Sequence, residues 1–121
     1  MEAPHLIDPV TIKSLRTLNS DNSDDFLREI VALFAADLPE RIAELEAALP
    51  EGNAAKFGRA AHSIKGSAAN LGAARLRSAA ENLETRARAS GLAGIEPLVG
   101  QLKAEAARAQ AALEQILESP P

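Results

Sequence analysis

One segment of the chain carries residue types that can do chemistry: Ala61-His62-Ser63-Ile64-Lys65-Gly66-Ser67. On a helix, positions three and four away from His62 are its surface neighbours. They are Gly58, Arg59, Lys65 and Gly66, with Ala69 one turn further. Two of those neighbours have no side chain. A glycine inside a helix costs about 1 kcal/mol relative to alanine, and here one stands on each side of a single histidine. The expected result is an imidazole clear of a flat, backbone-lined surface that a second protein can approach. Gly58, Arg59, Ser63 and Ala69 complete that expected partner-binding surface. An imidazole is a competent nucleophile near neutral pH, because the ordinary histidine pKa is about 6.5. Lys65 and Arg59 place positive charge beside it. A phosphoryl group carries roughly −1.5 to −2 charge, and Lys65 can pair with it. Phosphoryl transfer depends mainly on in-line positioning and charge neutralisation. The sequence offers no magnesium site of its own near His62, so the metal is expected on the partner. The chain is expected to need no cofactor. His5 follows Pro4 in an expected tail and reads as incidental.

Helices must position these groups. Apolar residues recur at steps of three and four through most of the 121 residues, which marks amphipathic helices. A short helix is expected over about 9–18, opened by Asp8-Pro9, with Ile12, Leu15 and Leu18 on its apolar edge. Asn22 or Ser23 is the expected cap of the second helix. Its stripe is Leu27, Ile30, Phe34, Leu38, Ile42, Leu45 and Leu49. Pro39 lies inside it, and a proline there costs about 3 kcal/mol. The stripe keeps phase across Pro39, so a kinked continuous helix is expected, ending before a turn at Pro50-Glu51-Gly52-Asn53. The third helix covers about 54–70, with Phe57, Ala61, Ile64, Ala68 and Leu71 inward. His62 sits one step of about 100° from Ala61, at the margin of the buried stripe. The fourth helix covers about 73–90 (Leu76, Ala80, Leu83, Ala87). The fifth runs from near Gly94 to about 117 (Ile95, Leu98, Leu102, Ala106, Ala109, Leu113, Ile116). Ser119-Pro120-Pro121 reads as a frayed tail. Four long helices with short connections pack best as an antiparallel bundle. The expected class is all-α: an antiparallel four-helix bundle over about 23–117, with an additional short N-terminal helix, in one domain spanning 1–121.

The hairpin of the third and fourth helices turns near Gly72. Reflection about that turn sets His62 opposite Leu83 and Glu84. Leu83 belongs to the core stripe, so Glu84 is the candidate to hydrogen-bond the ring and orient it. Arg59, Arg75 and Arg77 read otherwise as a solvated charged face.

Composition excludes several classes. Net charge is −4, with Lys and Arg dispersed and no Tyr or Trp, so nucleic acid is not an expected partner. The absence of cysteine removes disulfides and thiol catalysis. No apolar run reaches the roughly 20 residues that a membrane span needs, and no signal peptide is legible. A cytoplasmic monomer is expected, and the initial Met favours a free-standing chain.

His62-Ser63-Ile64-Lys65-Gly66-Ser67, followed by Leu71-Gly72, resembles the signature of the histidine phosphotransfer (HPt) domains of bacterial two-component phosphorelays. The resemblance extends from about Phe26 to Leu117. Members commonly have Leu where Ile64 stands. It implies that His62 takes a phosphoryl group from a receiver-domain aspartate and passes it to another receiver. Lys65 would then assist electrostatically, and Gly66 would permit docking. Implied partners are response-regulator receiver domains and a hybrid sensor histidine kinase. The chain would be a carrier and not an enzyme. The Ser-Ile-Lys-Gly form also resembles the phosphoacceptor domain of chemotaxis kinases. Two further alternatives stand beside these. A hydrolase with His62 as general base would need a nucleophile motif or metal constellation, and Ser63 and Ser67 belong to neither. A non-catalytic helical scaffold would leave the glycines around His62 without a purpose.

Overall fold

A computed structural model describes residues 6–18 and 24–118. The possible caps Asn22 and Ser23, His5 and the tail Ser119-Pro120-Pro121 lie outside the described residues. Among the described residues all regular structure is helical: α1 (Pro9–Arg16), α2 (Asp25–Glu51), α3 (Ala54–Asn70), α4 (Ala74–Ser90) and α5 (Glu96–Glu118). Helices α2 to α5 form a bundle in which α2 packs on α3 and α5, and α4 packs on α3 and α5. α1 lies against α2. None of these helices is long and apolar enough to cross a membrane.

Local chemistry sets most boundaries. Asp8 caps α1 by accepting from the Val10 amide at 2.9 Å, and Pro9 opens the first turn. α1 stops sooner than expected. The Thr17 hydroxyl donates to the Ser14 carbonyl at 2.8 Å, and Leu18 lies beyond the helix, 65% exposed. It therefore adds nothing to the apolar edge. α2 runs unbroken through Pro39, and it also includes Pro50 and Glu51, which were expected in the turn. A proline removes its own N–H donor and crowds the carbonyl four residues back, and neither effect reaches the donors that follow it. The Gly52 and Asn53 amides still close the end on the Leu49 and Ala48 carbonyls, with Gly52 left-handed at φ 63. Asn53 caps α3 by accepting from the Lys56 amide at 3.0 Å. Gly72 joins α3 to α4 at φ 70. A Cβ there would also strike Thr11 and Asp8 at 2.8 and 2.9 Å. That close approach lets the Asp8 amide donate to the Gly72 carbonyl at 2.8 Å, which ties α1 to the α3–α4 turn.

The core joins all five helices. Phe57, Ala61, Ile64, Ala68 and Leu71 are buried as their period requires, and so are Leu76, Ala80, Leu83 and Ala87. Each large side chain of this kind contributes roughly 1.5–3 kcal/mol on burial. The stripes of α2 and α5 are wider than their strict period. Val31, Ala48 and Val99 are buried, whereas Ile30, Ile42, Leu49, Leu98 and Ile116 are half-buried. A helix packed on two neighbours buries an arc, not a line.

Candidate functional site

α3 and α4 make the most extensive helix pair in the bundle, and the site lies on it. Ala61 and Ile64 are fully buried. His62, one position off that stripe, keeps 64% of its side chain exposed. α4 buries Leu83. The next residue, Glu84, is turned to the margin of the α3–α4 contact and is only 4% exposed.

Glu84 gathers its neighbours. Its Oε2 lies 2.9 Å from His62 Nδ1. Lys65 Nζ donates to Oε1 at 2.7 Å. Arg88 Nη2, one turn along α4, reaches Oε2 at 2.8 Å. Lys65 holds the Glu84 carboxyl below the usual carboxylate range, working against burial, and His62 and Arg88 add to the effect. Glu84 is therefore ionised at neutral pH. An ionised carboxylate accepts and cannot donate. The ring proton must then sit on Nδ1, which donates to Glu84. In the neutral ring Nε2 is left with a free electron pair. One nitrogen is fixed by a buried anion while the other belongs to a largely exposed ring. Such a histidine can attack an electrophile brought by another molecule.

The other expected site residues divide. Arg59, Ser63, Gly66 and Ala69 are exposed. A Cβ on Gly66 would have no neighbour within 4 Å, so nothing in the chain itself crowds that position. Gly58 departs from expectation. It is buried, although a Cβ there would also meet nothing within 4 Å. It is therefore not part of the exposed surface beside the ring. Lys65 is half-buried and bonded to Glu84 instead of projecting freely. Arg75 is not part of a plain solvated face. Its Nε reaches Glu105 Oε2 at 2.7 Å, and Arg108 pairs with Oε1 of the same carboxylate. Arg77 is exposed as expected. Arg88 was missed in the sequence, although its i+4 spacing from Glu84 was a usable signal. Among the described residues no group of three or more His, Asp or Glu side chains could hold a metal ion.

Comparison with known proteins gives a family match and several similar solved structures. The family model described as the Hpt domain matches residues 29–112. The crystal structure of histidine-containing phosphotransfer protein B from Pseudomonas aeruginosa is similar, with a TM-score of 0.84 and 30% identity, covering 99% of this chain and 100% of that one. A histidine-containing phosphotransfer protein of Medicago truncatula matches with a TM-score of 0.74 and 26% identity, over 93% of this chain and 82% of that one. The HPT domain of a sensor hybrid histidine kinase from Shewanella has a TM-score of 0.68 over 92% of this chain and 97% of its own, and at 19% identity it shares the fold alone. No curated relative matches the chain by sequence.

Proposed function

Since the chain belongs to the Hpt domain family, whose phosphorelay role it shares, we propose that His62 is the residue that carries the phosphoryl group. Nε2 takes the group from an aspartyl phosphate of one receiver domain and yields it to an aspartate of another. One observation supports this above the rest: Nδ1 of an exposed ring lies 2.9 Å from the buried carboxylate of Glu84, and since an ionised carboxylate only accepts, the proton belongs on Nδ1 and the free electron pair on Nε2. A ring held in one tautomer and one orientation meets the in-line requirement of phosphoryl transfer.

The neighbours take roles that follow from their chemistry. Lys65 lies beside the ring and neutralises charge on the incoming group. Gly66, with open space where a side chain would stand, lets the partner's surface come close. Arg59, Ser63 and Ala69, all exposed, border the contact. The family makes the chain a phosphoryl carrier in a relay. The proposed partners are receiver domains and a hybrid sensor kinase. Magnesium is proposed on the receiver, which completes the chemistry, and the proposed setting is the cytoplasm. The proposed form is a single domain acting as a monomer.

The test is incubation with a phosphorylated receiver. Acid-labile label is expected on His62. His62→Gln is expected to abolish it while helicity and melting stay nearly unchanged, because the ring is exposed and packs little core. Label that persists in His62→Gln would sink the assignment.

A further inference from the structure

Taking acceptance at His62 as its starting point, we propose that the charge of Glu84 keeps the phosphorylated ring protonated on Nδ1 and so makes the chain a quick phosphoryl donor, not a store. Acceptance forms a bond from Nε2 to phosphorus. The bond from phosphorus to the aspartyl oxygen breaks, and its electron pair stays on the aspartate as carboxylate. The Nδ1 proton is not displaced, so the product is a phosphoimidazolium cation. Donation reverses this: the P–N bond breaks, its pair returns to Nε2, and a neutral imidazole leaves. If Nδ1 first lost its proton, the leaving group would be an imidazolide anion, which is far poorer. Whatever holds that proton keeps the phosphoryl group mobile.

The geometry suits Glu84 to that task. Oε2 lies 2.9 Å from Nδ1. The carboxylate is buried and fixed on both oxygens, by Lys65 on Oε1 and Arg88 on Oε2. Those two cations also discourage it from taking the ring's proton for itself. A hydrogen bond to an ionised acceptor is roughly twice as strong as one between neutral groups. A neutral amide in this place would orient the ring equally well but would not favour its cation. Other charges nearby do not supply the effect. Arg59, one turn earlier on α3, opposes a cationic ring, and Glu81, one turn before Glu84, is exposed. On α2, at the other flank of α3, Asp37 and Glu44 are both bonded to Arg41.

The experiment needs no receiver. Wild-type protein and Glu84→Gln are phosphorylated with phosphoramidate, the donor is removed, and phosphohistidine is followed by phosphorus NMR. Glu84→Gln is expected to hold its phosphoryl group roughly five- to tenfold longer at neutral pH, the size of change that exchanging a charge-assisted for a neutral hydrogen bond implies. Its phosphorylated ring should also lose the Nδ1 proton at a lower pH. Equal lifetimes and equal titration midpoints in a folded variant would overturn the proposal. Should Glu84→Gln not fold, Arg88→Gln decides. That side chain is 72% exposed, and its removal frees Oε2 of a competing donor. A higher midpoint and a shorter lifetime are then expected, and no change in either overturns the proposal. Wild-type protein that takes no label on His62 from phosphoramidate or from a phosphorylated receiver would instead overturn the acceptance reading, a failure visible before any substitution is made.

Discussion

Two buried carboxylates stand on neighbouring helices with nearly the same surroundings. Glu84 on α4 is 4% exposed and Glu105 on α5 is 8% exposed. Each takes one cation from its own helix, Arg88 at i+4 and Arg108 at i+3. Each takes a second from the adjoining helix, Lys65 or Arg75. Burial of charge is costly unless it is paired, and both are paired. The difference is the third group. Glu84 also holds the ring of His62, whereas the groove beside Glu105 is lined by Ser78, Asn82, Gln101 and alanines. A buried ion cluster is therefore not in itself a site. It becomes one where it constrains a nucleophile that still faces solvent.

The contrast can be broken most sharply at its centre. His62→Gln is expected to reduce phosphoryl acceptance to background. Glu105→Gln should leave acceptance within about twofold, since it touches no reacting group. Comparable losses in both, measured by label transfer from a phosphorylated receiver, would erase the distinction. Next in size is Lys65→Ala. Removing one charge that steadies the transferring group is expected to slow transfer roughly ten- to hundredfold. The matching Arg75→Ala should not change the rate, and rapid-quench time courses separate the two.

Stability should divide the other way. Glu105→Gln leaves two arginines facing a neutral amide, and is expected to cost about 1–2 kcal/mol, read from urea denaturation. A neutral result would show that the α4–α5 cluster is decorative. The smallest effect belongs to Gly66→Leu. Open space surrounds that position, so helix propensity should raise stability by about 0.7 kcal/mol. Receiver binding should nonetheless weaken, and unaltered binding in a titration would remove Gly66 from the docking surface.

Much of this was legible along the chain. α3 falls on residues 54–70 as its period requires, and Asp8, Pro9 and Asn53 mark helix starts by side-chain chemistry that acts within one turn. Leu18 and Pro50 were misread for a common reason. Leu18 lies just past the end of α1 and Pro50 in the last turn of α2, where a single hydrogen bond decides the boundary, and the apolar pattern is too coarse to register it. The pairing of His62 with Glu84 could be reached by reflecting α3 onto α4 about Gly72, because a tight turn fixes the register of a helical hairpin.

Sequence by itself determined that the chain is helical, where each helix runs to within about a turn at its ends, and that His62 stands at the rim of a buried stripe beside Lys65 and Gly66. Those properties depend on the spacing of residues within one helix. Only the tertiary structure decided that Gly58 is covered, that Lys65 and Arg88 converge on the carboxylate that holds the ring, and that Glu105 is buried between two arginines. These depend on how far each helix is rotated toward its neighbours. That rotation is set by the packing of the whole core, and a step of about 100° per residue is enough to move a side chain from solvent into the contact. His62 and Glu84 lie on opposite sides of that boundary: one open to a partner, the other closed behind it.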